Sequence, residues 1–194
     1  MRIFFALPIS AHSSLNILHW RDKVFPRDRQ GIAAENFHIT LSFVGEASTA
    51  QCDTLIQATT ELWQRVRPQQ LSMTIDQYAY WPSPGTFWIG PRSWNNSLND
   101  LNRQLNELSQ RCVGRSAKQT FQPHISLYRT KEAIPQPLIE PIFELNFDEV
   151  VLFESVSRKQ GVYYRELEVW PLQPNYQGAQ DGPKSRPLAR KRNG

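Results

Sequence analysis

The stretch Asn36-Phe37-His38-Ile39-Thr40-Leu41-Ser42-Phe43-Val44-Gly45 is echoed downstream by Phe121-Gln122-Pro123-His124-Ile125-Ser126-Leu127-Tyr128-Arg129. Two of the four histidines sit in one shared pattern, His-Ile-(Thr/Ser)-Leu, and the other two, His12 and His19, have no partner motif and are read as structural. Successive side chains of a β-strand point to opposite faces. The alternation therefore predicts His38, Thr40 and Ser42 on one face and Ile39, Leu41 and Phe43 on the other. Each copy reads as a polar rail backed by core. Two residues along a strand cover about 6.5 Å, a span over which an imidazole and a hydroxyl can hold opposite sides of one small oxyanion.

Outward from these strands, the elements follow in order. Arg2 to Leu7 is a β-branched and aromatic run closed by Pro8, hence a first strand. From Ser10, the residues Leu15, Ile17, Leu18, Trp20 and Val24 recur near helical spacing, with Ser10 or Ser13 as N-cap and Pro26 as stop. Arg27 to Glu35 is a loop. Ser48 caps a helix that runs to about Val66, with Cys52, Leu55, Ile56, Leu62, Trp63 and Val66 on its apolar face. Leu71 to Tyr80 alternates as one half-buried strand. Pro82-Ser83-Pro84-Gly85 is a turn, and Thr86 to Ile89 a buried strand closed by Gly90-Pro91. The strongest helical pattern, Leu98, Leu101, Leu105, Leu108 and Cys112, spans Asn95 to Cys112 and ends at Gly114. After the second histidine strand, Pro135, Pro137 and Pro141 punctuate a connection. One or two strands follow over Phe143 to Ser157. Gln160-Gly161 then makes a hairpin turn into a closing strand, Val162 to Val169.

Each histidine strand follows a helix, and about half of the body separates the two histidines. An internal duplication with two lobes across a cleft is the economical reading of that layout.

The net charge of +4 is concentrated at one end. From Gln173 onward, Lys184, Arg186, Arg190, Lys191 and Arg192 stand against Asp181 alone, which accounts for the whole excess and leaves the body balanced. A balanced body is not a general polyanion binder, so recognition of nucleic acid there has to be local. The tail, rich in Gly, Pro and Gln, reads as a flexible end, with an RNA-attracting arm as the alternative. No apolar run reaches the roughly 18 residues of a membrane helix. Cys52 and Cys112, the only two cysteines, lie far apart and carry no metal-ligand spacing, as expected of a reduced cytosolic protein.

The paired motif resembles the two H-x-T/S-x signatures of the 2H phosphoesterase superfamily. The flanks Arg2-Ile3-Phe4-Phe5-Ala6-Leu7, Asn36 to Gly45 and Phe121 to Arg129 are similar to those of the bacterial RNA 2′,3′-cyclic phosphodiesterases, also described as 2′-5′ RNA ligases. Ser126 stands where threonine is the common residue and keeps the hydroxyl. The resemblance covers residues 1 to about 172 and implies a bilobal, duplicated α+β fold over 1–172. In that fold two antiparallel sheets face a central cleft, with helices outside; the basic tail, 173–194, follows. It further implies a cytoplasmic enzyme, expected as a monomer, that needs no metal or cofactor. Its substrates are RNA ends carrying a 2′,3′-cyclic phosphate, or nucleotides. The implied reaction opens the ring to a 2′-phosphate, with 2′-5′ ligation as the reverse of related chemistry. A nucleoside-monophosphate-binding module without turnover, or an enzyme for a small cyclic substrate such as ADP-ribose 1″,2″-cyclic phosphate, remain the alternatives.

Opening a cyclic phosphodiester takes a base for the attacking water and an acid for the departing ribose oxygen. With an ordinary pKa of about 6.5, one imidazole can be neutral and its partner protonated near pH 7 at little cost. Following the family, His38 is the expected proton donor and His124 the acceptor, although near-symmetric motifs can exchange roles. Thr40 and Ser126 are expected to donate hydrogen bonds to the non-bridging oxygens. Arg129 either clamps the phosphate or forms a surface ion pair. Alternation puts it on the face opposite His124, so it reaches the cleft only where the strand ends or bulges near Tyr128. Tyr164 is the candidate for stacking on a base, and Trp81 and Phe37 are weaker ones. Neither rail carries an Asp, Glu or Cys that would complete a two-histidine metal site.

Overall fold

The computed structural model describes residues 1–25, 31–114, 120–130, 137–158 and 161–175. The expected stop at Pro26, the first four residues of the loop after it, Pro135, Gln160 and the tail from Tyr176 lie outside these residues. Among the described residues, the elements run β1 (Arg2–Pro8), α1 (Ala11–Val24), a short 3-10 turn (Ala34–Asn36), β2 (His38–Glu46), α2 (Thr49–Val66), β3 (Leu71–Ile75), β4 (Gln77–Trp81), β5 (Thr86–Gly90), α3 (Asn96–Val113), β6 (Ile125–Arg129), β7 (Phe143–Phe147), β8 (Glu149–Arg158) and β9 (Gly161–Pro171).

The helices begin and end where local chemistry directs. Ser10 caps α1 and accepts from the Ser13 amide at 3.2 Å. Ser48 and Gln51 form a reciprocal capping box on α2, satisfying two amides that a helix start leaves unpaired. On α3, Asn95 accepts from the Ser97 amide, and Gly114 ends the helix at φ +77, a left-handed conformation that costs glycine little. The α1 apolar face is narrower than expected. Ile17 is buried, but Leu15 is 51% exposed, because Ser14 and Arg21 occupy the inward stripe.

One antiparallel sheet has the strand order β2-β1-β8-β9, and the other half is built from β4-β5-β6 beside the pair β3-β7. The run Leu71 to Tyr80, expected as a single strand, is two strands in different sheets. The switch occurs at Asp76, whose amide donates to Gly90 O at 3.1 Å and whose carboxylate accepts from the Arg92 amide at 2.8 Å. The core-facing residues change parity there, from Met73 and Ile75 to Tyr78 and Tyr80, and the polar pair Asp76-Gln77 is the mark of it in the sequence. The run from Phe143 does contain two strands, β7 pairing with β3 and β8 with β1 and β9.

The duplication is visible as two β-α-β units, β1-α1-β2 and β5-α3-β6, in which the histidine strand lies antiparallel to the strand before the helix. The helices are exchanged between the halves. At the end of α1, Phe25 packs edge-on against Phe87 of β5 and Tyr128 of β6, and Trp20 against Phe143 of β7. Residues of α3 instead bond to β2: Asn102 to the Leu41 carbonyl, and Asn106 to Ser42. One apolar cluster consequently runs through both halves, from Ile3, Phe5 and Leu7 to Ile89, Ile125 and Leu127. Gln173 and Asn175, beyond β9, bond back to Pro68 and Gln70, tying the chain end to the body.

Candidate active site

The decisive local feature is a β-bulge that occurs twice. In β2 the register with β1 passes from Ala6↔Thr40 to Phe5↔Ser42, leaving Leu41 as an extra residue. In β6 the register with β5 passes from Trp88↔Ser126 to Phe87↔Tyr128, leaving Leu127 extra. Each bulge lies three residues after its histidine. A bulge reverses side-chain parity beyond it. Ser42, expected on the cleft face, is therefore turned inward and is 1% exposed, while Phe43, expected in the core, is 40% exposed and lines the cleft. The same reversal buries Tyr128 and brings Arg129 to the cleft, answering the parity objection to an arginine there.

Elements of the opposite half hold both bulges. The Leu41 carbonyl accepts from Asn102 Nδ2 at 2.5 Å, and the Leu127 carbonyl accepts from the Ile32 amide at 2.8 Å. Ser42 Oγ donates to Asn106 Oδ1 at 2.7 Å. Arg21, buried under the Leu127 region, lies over the rings of Phe37 and Tyr128 and donates to Ile32 O.

Both histidines are oriented by the same device. His38 Nδ1 is 2.7 Å from Asn36 O, and His124 Nδ1 is 2.8 Å from Gln122 O, in each case the carbonyl two residues upstream. A carbonyl only accepts, so each Nδ1 carries the proton, and each Nε2 is the nitrogen left to exchange one. His38 Nε2 lies 3.1 Å from the Thr40 hydroxyl. At the end of β5, Gly90 lets the chain pass close to Pro123, the residue before His124: a Cβ on Gly90 would lie 2.6 Å from Pro123 O.

Each imidazole is walled by aromatic rings. His38 has Phe4 and Tyr164, both with ring centres 5.0 Å away. His124 has Trp81 at 4.6 Å and Trp88 at 5.9 Å. Burial is the main cause of the lowered proton affinity of both. His38 falls to about 4, with the Asn36 carbonyl opposing the shift and the charges of His124 and Arg129 adding to it. His124 is lowered by burial and by Arg129, against the Gln122 carbonyl. Near pH 7 both are therefore neutral, unlike the neutral and protonated pair expected from ordinary imidazoles. Burial raises the Tyr164 phenol, with Arg129 and Arg2 pulling it the other way.

One cleft of about 790 Å³ collects these groups: His38, Thr40, His124, Ser126, Arg129 and Tyr164 all line it. Arg2, Thr86, Trp81 and Trp88, absent from the main expectation or ranked low in it, line it as well. Phe37, a weaker candidate, is core at 3% exposure. Two arginines line the cleft and no carboxylate does, so its field is positive although the body's charges cancel. No group of three or more His, Cys, Asp or Glu able to hold a metal occurs among the described residues, and no described helix is long and apolar enough to cross a membrane.

Two halves, each presenting a histidine and a hydroxyl to a shared anion-attracting cleft, define a two-histidine phosphoesterase. Residues 10–163 match the 2′-5′ RNA ligase superfamily, and the chain belongs to that family. The RNA 2′,3′-cyclic phosphodiesterase of Escherichia coli K12 is 30% identical over 175 residues, covering 88% of this chain and 96% of that protein. The enzyme of the same name from Aeropyrum pernix is 25% identical over 154 residues, covering 76% of this chain and 85% of that protein. Among solved structures, E. coli LigT complexed with 3′-AMP superposes with a TM-score of 0.79 at 31% identity, covering 88% of this chain and 97% of that one.

Proposed function

We propose that the cleft binds RNA ends, or nucleotides, bearing a 2′,3′-cyclic phosphate and hydrolyses them to 2′-phosphomonoesters. The observation that carries this reading is the pair of imidazoles, each fixed at Nδ1 on a backbone carbonyl and each offering Nε2 to one carboxylate-free cleft. The names of the E. coli and A. pernix relatives support the substrate class.

In the proposed step, water attacks phosphorus and gives its proton to His124 Nε2. The bond from phosphorus to O3′ breaks as His38 Nε2 delivers a proton to that oxygen. Thr40 and Ser126 donate to the non-bridging oxygens, where charge grows, and Arg129 balances the phosphate charge. Binding the anion also protonates the acid. Burial alone leaves His38 neutral near pH 7, and a phosphate beside it favours the charged imidazole. No step in this scheme calls on a metal ion. The free thiols of Cys52 and Cys112 support a reducing, cytoplasmic setting. We assign the catalytic body to residues 1–172, followed by the basic tail.

The test supplies an oligonucleotide ending in a 2′,3′-cyclic phosphate, with EDTA present. The expected result is conversion to the 2′-phosphate, lowered by roughly 10²- to 10⁴-fold in His38→Ala and in His124→Ala. Turnover abolished by the chelator, or unchanged in both variants, rejects the scheme.

A further inference from the structure

A 2′,3′-cyclic phosphate closes the 3′ end of a strand, so the chain continues from the 5′ oxygen of the terminal nucleoside through a second phosphate. With His38 as donor to O3′, the terminal ribose lies on the His38 side of the cleft, beside Tyr164. Outward along β2 from His38 and Thr40, the next side chain lining the cleft beyond the bulge is Phe43, and Arg2 of β1 lies over its ring. Leaving out the bulged Leu41, Phe43 is two strand steps from Thr40, about 6.5 Å, on the order of the spacing of successive phosphates in an extended single strand.

Arg2 is furnished for an anion. Its guanidinium carbon is 5.0 Å from the centre of the Phe43 ring, which is itself stacked on Phe4 at 6.0 Å, so the planar group is held at the cleft rim. The residue is exposed, and among the described residues no carboxylate pairs with it. Glu46, opposite Arg2 in the strand register, instead lies 3.8 Å from the Met1 amino group. A guanidinium seated on a ring and without a counter-ion keeps its donors for an incoming phosphate. Its charge also reaches Tyr164, where it acts against burial on the phenol. The second half has no ring at this place: Thr86 and Arg129 stand where Phe4 and Phe43 pair in the first. We infer that Arg2, seated on Phe43, binds the phosphate on the 5′ side of the terminal nucleoside, which makes the site selective for a strand end over a cyclic mononucleotide. The inference rests on the hydrolytic reading above and narrows its substrate from nucleotides in general to ends of at least two nucleotides.

The experiment compares kcat/KM for two substrates with the same reacting end: a nucleoside 2′,3′-cyclic phosphate, and the dinucleotide that adds one 5′ nucleoside through a phosphodiester. The native protein is expected to favour the dinucleotide by at least about tenfold, the order of one charged hydrogen bond. That ratio should fall to near one in Arg2→Ala, fall in part in Phe43→Ala and be largely kept in Phe43→Tyr. Taking the ratio within each variant cancels any general loss of activity. A dinucleotide with an uncharged methylphosphonate linkage should lose the advantage in the native protein, a result that depends on no variant folding. A ratio near one in the native protein, equal preference for the charged and uncharged linkages, or a preference that survives Arg2→Ala overturns the inference and leaves hydrolysis standing. If neither substrate is opened, the hydrolytic reading itself fails, which is distinguished by the missing 2′-phosphate product.

Discussion

Phe43 and Arg129 occupy the same place in the two halves, five residues after His38 and His124, and matching bulges turn both into the cleft. Identical backbone geometry thus delivers a ring on one side and a guanidinium on the other. No carboxylate among the described residues pairs with Arg129, so its charge is directed at the cleft, where it lowers the proton affinity of both histidines. Replacing it with alanine is expected to lower kcat/KM by roughly 10- to 100-fold, the loss of one charged hydrogen bond to the phosphate. The same change should raise both imidazole pKa values, followed by proton NMR titration. Lysine should restore the pKa effect better than the rate, because it lacks the planar fork. If both histidines titrate as in the native protein, Arg129 is not acting on the cleft.

The lowered histidines set the direction of the pH dependence. Acid and base catalysis together need one imidazole protonated and the other neutral. In the free protein both titrate below the ordinary value of about 6.5, His38 near 4. The pH profile of kcat/KM, which reports the free enzyme, is therefore expected to peak on the acid side of 6.5. The profile of kcat should peak higher, since the bound phosphate raises the acid. Stability follows the opposite slope. A histidine that binds its proton less readily when folded contributes stability above its unfolded pKa, and that contribution is lost as pH falls from about 6.5 toward 4. Thermal melts across this window should show Tm falling, with a shallower slope in His38→Phe. Coincident kcat and kcat/KM optima above pH 7 would refute this account of the acid.

Much of this arrangement could be read from residue order alone, and what could not has identifiable causes. The two rails, the capped helices α2 and α3, and the pairing of His38 with His124 follow from motif and periodicity, which report local geometry. The break at Asp76 leaves a faint trace, the polar pair Asp76-Gln77 across which the core face moves from odd to even positions, and it is easily overlooked because the aromatic run Tyr78 to Trp81 fits either face. The bulges are hidden because the alternation template has a single parity. A trace of them exists all the same: strict alternation would bury Arg129, a charge with no partner in sight, and that conflict marks a parity change near Tyr128. The carbonyls of Asn36 and Gln122 leave no such trace, since any residue supplies a carbonyl. Trp88 is missed, and Trp81 is ranked low, for a related reason, since most tryptophans in a domain of this size are core.

Gly90 tests how closely the approach to His124 is set. A Cβ there would lie 2.6 Å from the Pro123 carbonyl, a backbone atom that cannot swing aside like a side chain. Gly90→Ala should therefore displace Pro123 and the Nδ1 bond of His124 to Gln122, leaving His38 in place. The expected outcome is a fall in kcat of at least about tenfold, since small misplacements of a catalytic group are costly. His124, and not His38, should show the changed imidazole signals. A variant with native kcat would mean the Pro123 segment is free to give way.

Ser42 separates the support of the site from its chemistry. The bulge turns it away from the cleft, where its hydroxyl donates to Asn106 Oδ1 at 2.7 Å and lies 3.3 Å from the Ser109 hydroxyl. Alanine at this position leaves the Asn106 acceptor without that donor under a well-packed interface, a loss worth about 1–3 kcal/mol. Denaturant unfolding should show that destabilisation with little change in the slope of free energy against denaturant. Below the unfolding transition, kcat/KM should stay within about twofold of the native value, because the Leu41 carbonyl keeps its bond from Asn102 and the bulge is held. Had strict alternation governed β2, Ser42 would stand beside Thr40 on the phosphate, and the same substitution would cut the rate while leaving stability nearly unchanged.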